Sequence, residues 1–275
     1  MNFAYCDDLI NNFLRVVETP VAGKSAAYYT GVDLGTACVV VCVLNEAGQP
    51  VAGAYRYADV VRDGMVVDYL GAIKMVREMK GQLEEKLKAE LLYAAAAIPP
   101  GTDVLDGGAI KNVVESAEFE ITHVLDEPTA ANEVLKIENG AIVDIGGGTT
   151  GISIIKNGKV VCVADEPTGG THFSLVVSGA YKMPYSEAER FKRDAKNHKE
   201  LIGVLKPVVE KVSSIISSHI AGQDVREILL VGGTACLHGI EDIIAQKTGI
   251  ATHKPKNPMF VTPLGIALSC KNNKI

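Results

Sequence analysis

Apolar residues along the chain follow two recurring patterns. Short and nearly continuous apolar runs, such as residues 37–44 and 91–98, predict buried β-strands. Elsewhere, apolar positions recur every three or four residues within charged stretches, which predicts amphipathic helices over residues 69–92, 186–201 and 204–221. The chain therefore alternates strands with helices, as α/β proteins do.

The first 27 residues precede the patterns that repeat further along the chain. Leu9, Phe13 and Val16 follow one another at helical spacing among polar residues. This spacing predicts an additional amphipathic helix, followed by a loop. We therefore treat residues 1–27 as an N-terminal extension.

One internal duplication organises the rest of the chain. Residues 29–51 (YTGVDLGTACVVVCVLNEAGQPV) and 140–161 (GAIVDIGGGTTGISIIKNGKVV) each carry a β-rich apolar run into an aspartate, an apolar residue and a glycine. Each segment continues as a second apolar run and ends at an Asn/Gly turn, at residues 45–48 and 157–158. The sequence therefore predicts two equivalent hairpins, each with an aspartate beside a glycine-containing bend.

Landmarks downstream of each hairpin repeat in the same order. The apolar runs 91–98 and 228–231 each stop at a glycine-containing turn. Each half then closes with a proline followed by small residues, at 128–131 and 263–267. Proline in the first turn with small residues behind it predicts two helices that pack tightly against neighbouring elements.

Composition and charge exclude several classes of function. The chain has 275 residues, of which 47 % are hydrophobic and 22 % charged, as is typical of a soluble globular protein. Its net charge of −6 argues against a nucleic-acid-binding surface. The apolar runs are too short to span a bilayer, and the N-terminus lacks the basic and apolar regions of a signal peptide. We therefore expect a cytoplasmic protein without nucleic-acid or membrane partners.

The cysteines and histidines suggest neither a redox centre nor a metal centre. The six cysteines include no C-x-x-C pair, and four of them lie in apolar runs. We therefore expect buried thiols. The histidines are scattered without metal-ligand spacing. His172, which follows two glycines, is either an ordinary loop histidine or a residue of the predicted ligand site.

Two acidic glycine bends suggest a phosphate site. Glycines let backbone N–H groups approach an anion, and Thr36, Thr149 and Thr150 could add hydroxyl donors. Asp33 and Asp144, one from each hairpin, would hold water around Mg²⁺ or orient a nucleophilic water. The chain contains no G-x-x-x-x-G-K-[ST] sequence, which excludes a P-loop NTPase. A strand rather than a helix follows the second bend, which disfavours a dinucleotide site.

At these residues the chain resembles the actin/Hsp70/sugar-kinase superfamily of ATPases, over roughly residues 29–270. VDLGTACVVV and VDIGGGTTGISII resemble its phosphate motifs, DEPTAAN its first connecting motif, ILLVGGTACLHGIEDII its adenosine motif and VTPLGIALS its second connecting helix. The resemblance implies a duplicated ribonuclease-H-like α/β fold, with two lobes around a nucleotide cleft and small insertions. The implied domains are the extension 1–27, lobe I at 28–138 and lobe II at 139–275, whose C-terminal helix packs back on lobe I.

The resemblance also implies roles for individual residues, with ATP or ADP and Mg²⁺ as ligands. Asp33 and Asp144 would be magnesium-water carboxylates, and Glu127 would position the attacking water. The residues that it implies as phosphate contacts are Gly35, Thr36, Ala37, Gly146, Gly147, Gly148 and Thr149. The residues that it implies for the nucleoside are Gly232, Gly233 and Thr234. Glu189 and Lys192 match the A-E-x-x-K helix with which MreB and FtsA relatives bind ribose and adenine, unless this helix is only a solvated face.

Within the superfamily, the chain most resembles the small Hsp70-like proteins of ethanolamine-utilisation clusters, through its compact insertions and its extended N-terminus. That resemblance implies a chaperone-like role beside a bacterial microcompartment. The implied partners are ethanolamine ammonia-lyase or microcompartment components. Two family features have no match here, namely the phosphate-directed lysine of Hsp70 and its adenine-stacking arginine, which residues 234–237 replace. ATP hydrolysis is therefore expected to be slow.

Three other functions remain open beside an ATP-dependent, chaperone-like switch. The compact layout also suits an actin-like scaffold that polymerises. A degenerate fold that binds nucleotide without significant hydrolysis would act only as an adaptor. Phosphotransfer to a small molecule needs a substrate pocket with a positioned general base, and the short insertions leave little room for one.

Overall fold

The computed structural model describes residues 3–21, 25–62, 64–100 and 104–273. The chain divides into two compact units. Unit 1 comprises Met1–Lys136 and Phe260–Ile275, and unit 2 comprises Ile137–Met259. Unit 1 is therefore built from both ends of the chain, and unit 2 from its middle.

The secondary structure alternates strands and helices. Unit 1 begins with α1 (Ala4–Glu18), β1 (Tyr28–Leu34), β2 (Cys38–Asn45), β3 (Pro50–Tyr57), β4 (Val61–Arg62), β5 (Met65–Val66), α2 (Tyr69–Leu87), β6 (Tyr93–Ile98), α3 (Val104–Ser116), β7 (Glu120–Asp126) and α4 (Glu127–Leu135). Unit 2 contains β8 (Asn139–Ile145), β9 (Thr150–Lys156), β10 (Lys159–Glu166), α5 (Gly170–Tyr181), α6 (Tyr185–Arg193), α7 (His198–Ile220), β11 (Glu227–Val231), α8 (Ile240–Thr248) and β12 (Ala251–His253). Helix α9 (Val261–Asn272) returns to unit 1.

Each unit contains a five-stranded sheet, and the two sheets have the same strand order. The orders are β3-β2-β1-β6-β7 in unit 1 and β10-β9-β8-β11-β12 in unit 2. In both sheets the first three strands pair antiparallel, and the remaining two pair parallel. Residues 29–51 and 140–161 contain the hairpins β1–β2 and β8–β9, except for the first residue of each, and the first residues of β3 and β10. The predicted duplication and the ribonuclease-H-like α/β fold are confirmed.

Helix α1 confirms the amphipathic helix predicted for the N-terminal extension. Its inward face is buried, and it packs on β3 and α9. Phe13 is fully buried, and its ring centroid lies 5.3 Å from that of Phe260. The bare backbone of Gly53 makes room for Phe13, because a Cβ at residue 53 would lie 2.3 Å from the ring. The helix is therefore part of the core of unit 1.

The helices that carry the two proline motifs cross closely within unit 1. Helix α9 is buried from Val261 to Cys270 and packs on α4 and β1. Where α9 meets α4, a Cβ at Gly265 would lie only 1.7 Å from the Ala130 carbonyl oxygen. The small residues in these motifs therefore permit tight helix packing, as the sequence predicts.

Two predicted helix boundaries are wrong. The helix predicted for residues 69–92 stops at Leu87, because Lys88 takes a left-handed conformation with φ 52°. The division into helices 186–201 and 204–221 is also wrong, since α6 stops at Arg193 and α7 runs unbroken from His198. Asp194 causes the earlier break, because its carboxylate accepts the Lys196 N–H at 3.2 Å and forms a turn.

The six cysteines, all within the described ranges, form no disulfide. Cys6, Cys38, Cys42 and Cys270 are buried as predicted, and burial raises the pKa of Cys270 to about 11. The prediction is wrong for Cys162, which lies exposed on the edge strand β10. In the described part of the chain, no helix is both long and apolar enough to cross a membrane.

Candidate functional site

The first acidic bend joins β1 to β2 in unit 1. Asp33 is half-buried near the end of β1, and residues 35–37 form the bend. The Gly35 N–H donates to the Cys38 carbonyl at 3.1 Å, which closes the bend. Asp33 therefore lies beside a backbone turn, as the pattern of residues 29–51 predicts.

Glu127 begins helix α4 at the end of β7. The preceding residue, Asp126, caps the helix, because its carboxylate accepts the Thr129 N–H at 2.9 Å and the Thr129 hydroxyl at 2.7 Å. Strands β1, β6 and β7 run parallel, so their C-terminal ends share one edge of the sheet. Asp33 and Glu127 therefore lie along the same edge in unit 1, where ligands of open α/β sheets commonly bind.

The second acidic bend, residues 146–149, joins β8 to β9 in unit 2. The Gly146 N–H donates to the Thr149 carbonyl at 3.0 Å. The Gly146 carbonyl accepts the Gly170 N–H at 2.9 Å, and the Gly147 carbonyl accepts the Thr171 N–H at 2.8 Å. Helix α5 thus binds two carbonyl oxygens of the bend through its first N–H groups. The phosphate site predicted at this bend stays a prediction.

Thr150 does not contribute to that site. Its side chain is fully buried, and its hydroxyl donates to the Thr168 carbonyl at 2.5 Å. The expectation that Thr150 adds a phosphate donor is therefore wrong. Every residue of β9 except the last is buried, so the Thr150 hydroxyl has its partner within the protein.

The predicted adenosine motif lies next to the second bend within unit 2. Strand β11 pairs with β8 so that Val231 faces Asp144. Gly232 has φ +91°, and a Cβ there would lie 2.2 Å from Asp144 Oδ1. The Thr234 hydroxyl donates to the Gly146 carbonyl at 2.8 Å. The structure therefore brings Asp144, the glycine bend and residues 232–234 together.

Glu189 and Lys192 of α6 lie beside the start of α5, which is bonded to the second acidic bend. Lys192 Nζ lies 2.8 Å from Glu189 Oε2 and donates to the Gly170 carbonyl at 2.9 Å. Their side chains are only 10 % and 15 % exposed, for Lys192 and Glu189 respectively. The Ser174 hydroxyl also donates to Glu189. Both side chains thus hold helix α5 against α6, and their predicted contact with ribose and adenine stays a prediction.

The ionisation of this pair follows from its surroundings. Burial lowers the pKa of Lys192, and the charge of Glu189 opposes that shift. Burial would raise the pKa of Glu189, but Lys192, Ser174 and Arg193 outweigh it and hold the pKa below its usual value. Glu189 therefore stays a carboxylate at neutral pH.

His198 was not singled out by the sequence, yet it connects two parts of the site. Its Nδ1 accepts the backbone N–H of His238 at 3.2 Å, so the proton lies on Nε2, which donates to the Lys192 carbonyl at 3.0 Å. The ring is buried, and burial lowers its pKa. The charged or titratable groups near the ring are His238, Lys254 and Asp194. No short motif could reveal this residue, because its partners lie far apart in sequence.

His172, the other histidine of interest, caps the start of α5. Its Nδ1 accepts the Gly169 N–H at 3.4 Å. No group of three or more His, Cys, Asp or Glu side chains in the described part of the chain could hold a metal ion directly. Magnesium held largely through water does not need such a group.

The two five-stranded sheets have the same strand order. Each also carries an aspartate beside a glycine bend, Asp33 on β1 and Asp144 on β8. Together these features define an actin/Hsp70-like ATPase fold. The structure of MreB5 of Spiroplasma citri bound to AMPPNP matches with a TM-score of 0.71 and 17 % sequence identity. That match covers 91 % of this chain and 98 % of the MreB5 chain. At this identity the likeness concerns the fold alone.

Closer relatives define the family. Ethanolamine utilization protein EutJ of Salmonella typhimurium is 45 % identical over 253 residues, which is 92 % of this chain and 88 % of that protein. The crystal structure of EutJ from Carboxydothermus hydrogenoformans matches with a TM-score of 0.91 and 45 % identity, over 98 % of this chain and 99 % of that chain. The family described as type IV pilus assembly protein PilM also matches, over residues 114–260. The chain belongs to the EutJ family of ethanolamine utilization proteins.

Proposed function

We propose that this chain binds ATP or ADP with Mg²⁺, hydrolyses ATP slowly and acts as a nucleotide-dependent, chaperone-like protein in ethanolamine utilisation. The observation that carries the proposal is the hydrogen bond from Thr234 to Gly146, which joins the adenosine motif to the glycine bend beside Asp144. The MreB5 structure with AMPPNP supports the choice of ligand, because its fold is the same.

In this proposal, the acidic bends, Glu127 and the adenosine motif have different roles. Asp33 and Asp144 hold water around Mg²⁺, which neutralises phosphate charge. Glu127 orients the attacking water. The proposed phosphate contacts are Gly35, Thr36, Ala37, Gly146, Gly147, Gly148 and Thr149. The proposed nucleoside contacts are Gly232, Gly233, Thr234, Glu189 and Lys192.

Nucleotide binding is tested by calorimetry at millimolar Mg-ATP, with and without the metal. The wild-type chain is expected to bind ATP more tightly with Mg²⁺ than with EDTA. Asp144→Asn should abolish this Mg²⁺ effect while sparing the fold. Asp224→Asn is the matched control, because Asp224 is exposed and pairs only locally with Arg226. No binding heat and no thermal shift in the wild-type chain would refute the proposal.

The proposed partners are ethanolamine ammonia-lyase or components of a bacterial microcompartment, with which the chain would associate. Membership of the EutJ family supports this context. Purified lyase should be captured by the immobilised chain, and the amount captured should differ between ATP and ADP. Asp144→Asn should remove that difference. Equal capture in every nucleotide state would argue against a nucleotide-dependent switch.

A second candidate is an adaptor that binds nucleotide without significant hydrolysis. The sequence favours it, because the chain has no match to the phosphate-directed lysine of Hsp70. Phosphate release from Mg-ATP distinguishes the two candidates. Turnover in the wild-type chain that Glu127→Gln removes supports the switch, and binding without turnover supports the adaptor.

A further inference from the structure

Lys254 is a buried cation with three partners in unit 2. It follows strand β12, and its side chain is only 11 % exposed. Its ammonium donates to the Ala235 carbonyl at 3.0 Å and to the Leu237 carbonyl at 2.6 Å, and it lies 2.7 Å from Glu241 Oε2. The contacts with the two carbonyls are hydrogen bonds, and the contact with Glu241 is an ion pair.

The two carbonyls belong to the turn that continues the predicted adenosine motif. A 3₁₀ turn spans Thr234–Cys236, and Leu237 ends it. At its beginning, the Thr234 hydroxyl is bound to Gly146. At its end, the Lys254 ammonium donates to two carbonyls. These hydrogen bonds hold the turn firmly, because hydrogen bonds from a charged donor are about twice as strong as neutral ones. The turn is therefore fixed at both ends.

We propose that Lys254 is a positioning residue for the nucleoside end of the site. By holding the carbonyls of Ala235 and Leu237, it fixes the backbone of residues 232–234, which would contact the nucleoside. This inference rests on the proposed nucleotide-binding function. No motif suggests it, because Lys254 follows a different strand and lies 19 residues from Ala235 along the chain.

A second buried lysine provides a matched control. Lys80 of α2 in unit 1 has a 7 % exposed side chain and pairs with Glu84, one helical turn away, at 3.0 Å. Its loss removes a buried ion pair without touching the adenosine motif. If Lys254 only stabilised the fold, both substitutions would leave the affinity of the folded protein for ATP unchanged.

The test compares ATP affinity by calorimetry in folded variants, with Mg²⁺ and with EDTA. Lys254→Met is expected to weaken Mg-ATP binding at least about fivefold, the lower range of typical coupling between sites. The ratio of affinities with and without Mg²⁺ should stay within about twofold of wild type, because that ratio reports the phosphate end. Lys80→Met and Glu241→Gln should both bind Mg-ATP within about twofold of wild type.

Three results would overturn the inference. The first is a Lys254→Met variant that binds Mg-ATP as tightly as wild type. The second is a Lys80→Met variant whose affinity falls as much as that of Lys254→Met. The third is a Glu241→Gln variant with the same loss of affinity as Lys254→Met, which would assign the effect to the ion pair. If Lys254→Met does not fold, Lys254→Gln replaces it, because the glutamine amide nitrogen is uncharged and lies one bond short of the position of the lysine ammonium. It should also weaken binding, and unchanged affinity would count against the inference. Failure of wild type to bind Mg-ATP would instead refute the proposed function.

Discussion

The crossing of α9 and α4 allows one substitution to be predicted with a definite sign. A Cβ at Gly265 would lie 1.7 Å from the Ala130 carbonyl oxygen and 2.5 Å from its carbon. Ordinary van der Waals contact for a Cβ begins near 3.4 Å. Gly265→Ala therefore forces the two helix backbones apart by roughly 1.5 Å. Helix α9 is buried along most of its length, so this movement disturbs the packing against β1 as well.

The magnitude follows from two opposing effects. Alanine is favoured over glycine in a helix interior by about 1 kcal/mol. Overpacking a buried contact costs about 1–3 kcal/mol, and more where backbone must move. We therefore expect Gly265→Ala to lower the free energy of unfolding by about 2 kcal/mol or more. Gly81→Ala is the matched control, because an exposed Cβ on α2 meets nothing within 4 Å and should stabilise by about 0.5–1 kcal/mol.

Urea unfolding followed by circular dichroism measures both variants, and the chain contains no tryptophan to report fluorescence. The midpoint should fall for Gly265→Ala and rise for Gly81→Ala, with the denaturant dependence unchanged. Equal or greater stability of Gly265→Ala would refute the helix contact. A lower urea midpoint for Gly81→Ala would show that the effect of alanine on stability does not come from helix propensity.

Three further predictions concern the extension, a thiol and a histidine. Phe13→Ala should lower the free energy of unfolding by about 3–5 kcal/mol, because it leaves a cavity in place of a buried aromatic contact. Tyr5→Ala, on the exposed face of α1, should change the free energy of unfolding little, as measured by urea titration. Cys162 should react rapidly with a thiol reagent in the native protein, and Cys162→Ser should remove that phase while the buried thiols react only after unfolding. Burial lowers the pKa of His198 from its ordinary value of 6.5. The contribution of His198 to the free energy of unfolding is therefore complete above pH 6.5 and is lost as the pH falls towards the pKa of the folded state. His198→Gln should reduce the slope of the free energy of unfolding against pH below 6.5.

The sequence predicts the sheets well because the signals for them are local. Apolar runs, Asn/Gly turns and their repetition at 29–51 and 140–161 specify strands and hairpins without knowledge of distant residues. The motifs at 128–131 and 263–267 likewise indicate close helix packing, which the Gly265–Ala130 contact confirms. Patterns of this kind depend on neighbours within a few positions, so they can be read from one chain.

Other features of the site depend on contacts between distant residues. Thr150 could not be told from a phosphate donor, since only the fold shows that its hydroxyl meets Thr168. Lys254 and His198 belong to no motif, and each acts on segments from another part of the chain. No local pattern marks the break after Arg193, because one side-chain hydrogen bond to Asp194 decides it within an otherwise continuous helical pattern.

The hydrogen bond between Thr234 and Gly146 determines how the binding variants must be interpreted. Because it joins the adenosine turn to the glycine bend, a change at either end can reach the other, and the effects of single substitutions need not add. Total ATP affinity alone therefore cannot assign a residue to the nucleoside or the phosphates. The dependence of affinity on Mg²⁺ separates them, since the metal acts on phosphate charge. A substitution that weakens binding but preserves this dependence acts at the nucleoside end, and one that removes it acts at the acidic bends.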